Sequence, residues 1–239
     1  MGPMSVWKTL GLLLGVLILV GALLFGRQVF TYYQAIRSGQ ANPLLDQQLE
    51  SSVSHLLANQ HPSQADLDLL ADPTAPSIGS ASPTLTIVEF LDFGCPYCEQ
   101  AFQPVREGVL AHQDNVKLVI RNFPLEDLHP GATHAAYAAH CALEQGKFWE
   151  YHDKLYLNQT SFTDNDLINF AQQVGLDLPK FNSCFTSDRA KQVVQHDQAV
   201  GLSAGVEGTP TFFFNGVKIQ GAPSREAFEY LINRFLTGK

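Results

Sequence analysis

The chain has 239 residues, enough for one domain with an additional segment. Its 15 lysines and arginines face 23 aspartates and glutamates, which gives a formal net charge of −8 at pH 7. This acidic balance, without a basic block in the sequence, argues against nucleic-acid binding.

The N-terminal part predicts a membrane anchor. Residues 6–26 form an almost unbroken apolar run, interrupted by Lys8 and Thr9, which is long enough to cross a bilayer as a helix. The run lacks the small-residue cleavage site of a secretory signal peptide. We therefore predict an uncleaved transmembrane anchor over residues 1–28 and a stalk or linker over residues 29–76.

The stalk contains a helical pattern. Asn42 is a suitable N-cap for a helix that begins at Pro43. Apolar residues then recur on one helix face, at Leu45, Leu49, Val53 and Leu56. This helix either packs on its own domain or makes residues 43–57 a homodimerisation segment. Residues 72–83 are rich in proline and serine, which predicts a linker entering the next domain.

A predicted strand and a predicted helix meet at a pair of cysteines. Residues 84–91 are mostly apolar and β-branched, as is typical of a buried strand. A helix is predicted from Pro96 to about residue 111, because proline suits the first helical position. Cys95 would then lie at the N-terminus of this helix, with Cys98 one turn further on.

The sequence Cys95-Pro96-Tyr97-Cys98 predicts a redox-active pair. Free N–H groups and the positive dipole end of the helix stabilise a thiolate at Cys95, which makes it the nucleophile. Cys98 would resolve the mixed disulfide, and the two intervening residues of the active-site loop would tune the potential. The alternatives are a structural disulfide or half of a zinc site, which requires two further ligands at short spacing. We predict no metal and no cofactor.

Glu89 is a third candidate for the catalytic site. It lies on the same face of the predicted strand as Leu85, Ile87 and Leu91, and that face is otherwise apolar. Burial of a carboxyl group there is costly without a function. We predict that Glu89 exchanges a proton with Cys98, the alternative being an edge strand with the carboxylate facing water.

The rest of the chain predicts a second strand, several helices and a hairpin. Residues 116–121 form the second strand and complete a βαβ unit. Helices follow, over residues 131–145, 148–157, 163–175 and 187–205. Asn215-Gly216 is the signal of a type I′ turn within a hairpin over residues 212–219. A final helix is predicted to begin at Ser224.

These features together resemble the membrane-anchored branch of the DsbA family of thiol:disulfide oxidoreductases, within the thioredoxin superfamily. The resemblance covers about residues 77–235. It rests on Glu89-Phe90, Asp92-Phe93, the cysteine motif, residues 145–149 and residues 205–213. It implies an α/β, thioredoxin-like fold (βαβ…ββα) over residues 77–239, with a helical domain inserted at about residues 125–204.

The resemblance also implies a function and a location. The protein would form or exchange disulfides in cysteine-containing envelope proteins, and a separate redox partner would reset its dithiol. Disulfides persist outside the cytoplasm, so the catalytic domain would face the periplasmic or extracytoplasmic side of a bacterial inner membrane. A disulfide isomerase, a reductase, and a redox-inert chaperone or scaffold are the alternatives.

Two further pairs of residues are assigned with the help of this resemblance. Thr209-Pro210 would have a cis peptide bond facing the cysteines and would bind an extended substrate chain, the alternative being a trans turn proline. In an oxidising compartment, Cys141 and Cys184 are expected to form a structural disulfide. They could instead be two buried free thiols or a second redox relay.

Overall fold

The computed structural model describes residues 13, 15, 16, 18–27, 29, 30 and 64–238. Residues 18–27 are helical, and apolar side chains such as Phe25 are exposed on them. Within the described part of the chain, no helix is both long enough and apolar enough to cross a membrane. The predicted anchor lies only partly within these residues, and the predicted dimerisation segment, residues 43–57, lies outside them.

Residues 64–238 are built around a five-stranded mixed sheet. Its strands are Ser77–Gly79 (β1), Leu85–Leu91 (β2), Val116–Asn122 (β3), Thr211–Phe214 (β4) and Val217–Gln220 (β5). They are arranged in the order β1-β3-β2-β4-β5, with β2 parallel to β3 and the other neighbours antiparallel. The central strand β2 is buried along almost its whole length, which explains its almost continuous apolar sequence.

Strand β1 corrects the prediction that residues 72–83 are entirely linker. Ile78 lies opposite Leu118 of β3, and Gly79 has a φ of 101°. This strand is three residues long. It is held by backbone hydrogen bonds, which any residue except proline can make with both its N–H and its C=O group. It has no run of apolar residues from which it could have been predicted.

Helices cover both faces of the sheet. They are Gln64–Leu70 (α1), Pro96–Ala111 (α2), Ala132–Leu143 (α3), Phe148–Tyr156 (α4), Asp164–Gln173 (α5), Leu178–Phe185 (α6), Asp188–Ser203 (α7) and Arg225–Thr237 (α8). Helices α2 and α8 pack together, while α7 packs on β3 and on α1. Helices α3 to α7 lie between β3 and β4, within the insertion predicted at about residues 125–204, so the predicted order of βαβ, helical insertion and ββα is confirmed.

Local sequence signals explain where several of these elements begin. Thr163 and Asp166 form a capping box at the start of the helix predicted over residues 163–175, and the Ser224 side chain accepts a hydrogen bond from Ala227 N. The hairpin turn has positive φ at both central residues, 46° at Asn215 and 86° at Gly216. Helix α6 was not predicted, although its N-cap Asp177 and a following proline are recognisable start signals.

The two faces of β2 contribute to separate parts of the core. Phe90 contacts Phe123 and Phe213 edge to face on one side of the sheet. On the other side, Phe212 and Phe214 of β4 contact Phe228 of α8. This packing holds the carboxyl end of β2 rigidly, which is where the cysteine motif follows.

Candidate active site

The turn between β2 and α2 places the two cysteines at a helix N-terminus. Cys95 is the N-cap of α2, and Pro96 occupies the first turn as predicted. Both cysteines are free thiols; Cys95 is 4% exposed and Cys98 is fully buried. Tyr97 between them is 62% exposed, so the motif presents one aromatic side chain to solvent.

Asp92 organises this turn, a role that was not predicted. Its Oδ1 accepts a hydrogen bond from Gly94 N at 2.7 Å, and its Oδ2 accepts one from Leu125 N at 2.8 Å. The same Oδ2 lies 2.7 Å from His129 Nδ1. A Cβ on residue 94 would lie 2.6 Å from the His129 Cβ, so only glycine fits there. An aspartate directly after a buried strand was the available signal.

The surroundings of Cys95 favour its thiolate. A hydrogen bond from the Cys98 thiol is the main cause, and the backbone N–H groups of Cys98 and Tyr97 add to it. Against the opposing effect of burial, these bonds lower the pKa of Cys95 to about 5. Cys95 is therefore ionised at neutral pH, as expected of a nucleophilic thiol.

The surroundings of Cys98 and Glu89 favour their protonated forms instead. Burial, followed by the hydrogen bond and charge of Cys95 and the charge of Glu89, raises the pKa of Cys98 well above its usual value. Burial alone raises the pKa of Glu89 to about 8. Glu89 pairs with Ile120 on one side and Phe212 on the other, so it is in a central strand and the edge-strand alternative is wrong.

Tyr156 brings a hydroxyl group of the helical region to this site. Its ring stacks on Phe102 with centroids 5.2 Å apart and lies 5.3 Å from the ring of Phe93. The hydroxyl is buried and has no hydrogen-bond partner among the described residues. Burial, and then the charges of Cys98 and Glu89, raise the pKa of Tyr156, so it remains a donor. The sequence predicts Tyr156 only as a core residue of the inserted region.

Thr209 and Pro210 lie opposite the cysteines, just before β4. The Thr209–Pro210 peptide bond is cis. The Thr209 carbonyl lies 3.3 Å from the Cys95 sulfur and accepts a hydrogen bond from it when the thiol is protonated. The structure therefore brings Thr209 and Pro210 to the cysteines, across a separation of 114 residues between Cys95 and Thr209.

Cys141 and Cys184 form a disulfide between α3 and α6, elements that carry neither Cys95 nor Cys98. His140, Glu144 and Cys184 also place possible metal ligands within 4.8 Å of one another. The Cys184 sulfur is committed to the disulfide, however, and Arg189 binds both carboxylate oxygens of Glu144. This group is therefore not arranged as a metal site.

Known proteins match this chain at the level of fold and family. A family model described as "Thioredoxin" matches residues 71–234. A thioredoxin-like oxidoreductase from Silicibacter pomeroyi has a TM-score of 0.65 and 30% identity, covering 71% of this chain and 97% of that one. The fold is also that of the thiol-disulfide exchange protein alpha-DsbA2 from Wolbachia pipientis, with 20% identity, a TM-score of 0.64, and coverage of 83% of this chain and 100% of that one.

Sequence relatives extend well beyond the matched segment. The protein named Na(+)/H(+) antiporter NhaA 3 of Salinispora tropica is 42% identical over 164 residues, which are 68% of this chain and 25% of that protein. The match therefore spans about a quarter of the length of this relative. From the family match and the geometry around its cysteines, the chain belongs to the thioredoxin family and has the fold of DsbA-like thiol–disulfide oxidoreductases.

Proposed function

We propose that the protein is a thiol–disulfide oxidoreductase that acts as a dithiol oxidase on cysteine-containing envelope proteins. The observation that carries this proposal is the lowered pKa of Cys95, about 5. A stabilised Cys95 thiolate favours the reduced protein over its disulfide form, and it is this preference that makes such a protein an oxidant. An isomerase or a reductase has less need of such a stable thiolate.

The first half of the reaction begins with the Cys95–Cys98 disulfide. A client thiolate attacks the Cys95 sulfur, and the Cys95–Cys98 bond breaks as a mixed disulfide with the client forms. The electron pair of the broken bond leaves on Cys98, whose buried surroundings disfavour a thiolate. Glu89, protonated at neutral pH because of its raised pKa of about 8, supplies the proton.

The second half of the reaction releases the oxidised client. Its second thiolate attacks the client sulfur of the mixed disulfide, and Cys95 leaves as a stable thiolate. The client dithiol has then become a disulfide, and the protein dithiol is reduced. A separate redox partner must remove these two electrons before the next cycle.

The client chain would be held beside Cys95 by Thr209. The Thr209 carbonyl lies 3.3 Å from the Cys95 sulfur, so an extended chain that pairs with this backbone would be within reach of the thiol. The exposed ring of Tyr97 offers an apolar contact next to it. Backbone pairing of this kind is independent of side chains, which suits an enzyme acting on many clients.

The location follows from chemistry and from the N-terminal sequence. The Cys141–Cys184 disulfide supports an oxidising, extracytoplasmic compartment. The exposed apolar side chains on helical residues 18–27 support the anchor proposed over residues 1–28, which would place a single-pass protein in the inner membrane. Residues 29–76 and 77–239 remain the proposed stalk and catalytic domain, and a homodimer through residues 43–57 remains a prediction. Antiporter activity is not proposed, because only 25% of that relative is matched.

The direction of the reaction can be tested by equilibrating the full chain with glutathione buffers. We expect a reduction potential above about −180 mV, the value of protein disulfide isomerase. The fraction of Cys95–Cys98 disulfide would be measured by alkylation and mass spectrometry. A value near −270 mV, that of thioredoxin, would instead identify a reductant. Failure of the oxidised protein to oxidise any two-cysteine peptide would favour a scaffold.

Glu89 gives a prediction on stability and pH. Its pKa is raised from 4.5 to about 8 in the folded protein, so the folded state binds more protons than the unfolded state across this window. Stability should therefore fall as pH rises through it, by up to about 1.4 kcal/mol per pH unit, and Glu89→Gln should remove this dependence. Urea unfolding of the oxidised protein, in which Cys95 and Cys98 do not titrate, measures the difference.

The same variant tests the proton transfer. We expect Glu89→Gln to slow client oxidation at neutral pH, because Cys98 then leaves without its proton donor. Glu144→Gln is the control, since Glu144 lies in the helical region, where its carboxylate pairs with Arg189.

The stability prediction for Glu89 has its own contradicting result. Equal pH dependence of the free energy of unfolding in the parent and in Glu89→Gln would show that the Glu89 carboxyl is ionised in the folded protein.

A further inference from the structure

Gln159 contacts the redox turn from the helical region. It follows α4 in the chain, and its Nε2 donates to the carbonyl oxygen of Phe93 at 2.7 Å and to that of Cys95 at 3.0 Å. Each proton of one side-chain amide is thus directed at a different peptide of the turn. The sequence predicts no role for this residue.

These two bonds complete the support of the turn. The N–H of the Phe93–Gly94 peptide is held by Asp92 Oδ1 at 2.7 Å, and its carbonyl is held by Gln159. That peptide plane is therefore fixed on both sides. Cys95 N donates to Asp92 O at 3.1 Å, so the backbone of Cys95 itself is also hydrogen-bonded within the turn.

The Cys95 carbonyl has a second role within α2. It accepts hydrogen bonds from Cys98 N and Glu99 N, both at 3.1 Å, and so begins the helix. The backbone N–H groups of Tyr97 and Cys98 that stabilise the Cys95 sulfur belong to this same first turn. Gln159 therefore adds a third hydrogen bond to the Cys95 carbonyl. This bond helps to fix the first turn of α2, which carries both the Cys95 sulfur and the N–H groups that stabilise it.

We propose that Gln159 is a positioning residue through which the helical region sets the reactivity of Cys95. This rests on the proposed function, and it assigns to the inserted region a part in the redox chemistry itself. Gln159 touches only backbone and acts through Cys95. Without it, the first turn of α2 can rotate away from the sulfur, and fewer N–H groups reach the thiolate.

Gln159→Leu tests this in the reduced full-length protein. It removes both donors at similar size, and we expect the midpoint of the Cys95 alkylation profile to rise by about one pH unit. The equilibrium constant for reduction by glutathione should fall about tenfold, since one pKa unit corresponds to a factor of ten. Circular dichroism checks that the variant is folded.

Gln159→Lys and Gln145→Leu provide the comparisons. Lysine keeps donors and adds a positive charge near Cys95, so it should leave the alkylation midpoint unchanged or lower it, whether or not Gln159→Leu folds. Gln145 also bonds the backbone, accepting from Asp177 N at 2.8 Å, but on the helical region alone. Its leucine variant should keep the parent midpoint.

The outcomes separate the two proposals. An unchanged midpoint in folded Gln159→Leu, or a rise in Gln159→Lys, would overturn the positioning role. An equal rise in Gln145→Leu would also overturn it, because the effect would then be general loosening of the helical region. Absence of client oxidation by the parent would overturn the proposed function instead, while the alkylation profiles would still decide the role of Gln159.

Discussion

Cys98→Ala is expected to abolish multiple turnover and to leave the protein covalently joined to its clients. Cys95 loses its main hydrogen-bond donor with the Cys98 thiol, but it keeps the backbone N–H groups of residues 97 and 98, which continue to favour its thiolate. It can still attack a client disulfide and form a mixed disulfide. In the parent, Cys98 would release the client by attacking the Cys95 sulfur; in the variant only the client's own second thiol can reverse the mixed disulfide, so adducts accumulate. Non-reducing gels of the native compartment, followed by mass spectrometry, should show these adducts.

The controls for this experiment come from the same chain. Cys95→Ala should form no adducts, because the remaining Cys98 is fully buried and the cause that raises its pKa most is burial itself. The double variant Cys95→Ala/Cys98→Ala gives the background. If Cys95→Ala traps as many clients as Cys98→Ala, the division into nucleophile and resolving thiol is wrong.

Replacing Cys141 and Cys184 by alanine is expected to give the largest loss of stability. The bond closes a loop with a sequence separation of 43 residues. Loop-closure entropy for this length corresponds to about 4 kcal/mol, within a usual range of about 2–5 kcal/mol. Both side chains are buried, so their truncation adds to the loss. Urea unfolding of the two proteins at equal pH measures it.

Client oxidation distinguishes a structural disulfide from a relay. The disulfide joins α3 to α6, whereas Cys95 and Cys98 lie at the N-cap and in the first turn of α2. We therefore expect the folded double variant to retain turnover, measured below its unfolding transition with a reduced two-cysteine peptide. Complete loss of turnover in a folded double variant would indicate that electrons pass through the second pair. If turnover is retained and the free energy of unfolding is also unchanged, the disulfide has neither a structural role nor a relay role.

Local sequence signals determined much of the fold. Helix α2 has the predicted start at Pro96, and the turn at Asn215-Gly216 has the positive φ values that its residues favour. The capping residues Thr163 and Ser224 mark helix starts in the same way. Such signals can be recognised because the contacts that cause them lie within a few residues along the chain.

Strand β1 and helix α6 were not predicted, for different reasons. Residues 77–79 are short and mostly exposed, and they form a strand only because β3 offers a free edge. Helix α6 lies in a segment that the sequence left unassigned, and it packs on α3, α5 and α7. For β1 the decisive partner is distant in sequence and leaves no local trace, whereas α6 has local start signals, Asp177 and the following proline, that the prediction missed.

By itself, the sequence determined the family and the place of the two cysteines at a helix start, because a helix N-terminus with two cysteines one turn apart is a local arrangement. It also supplied the proposal that Cys95 is the nucleophile of a redox pair. The tertiary structure decided everything that depends on approach across the fold. It placed Glu89 in a central strand, brought Thr209 to 3.3 Å from the Cys95 sulfur, and directed Gln159 at the turn. Hydrogen bonds and burial shift a pKa only over a few ångströms. The donors that favour the Cys95 thiolate are therefore mostly local, whereas the burial that raises the pKa of Cys98 and of Glu89 is supplied only by folding.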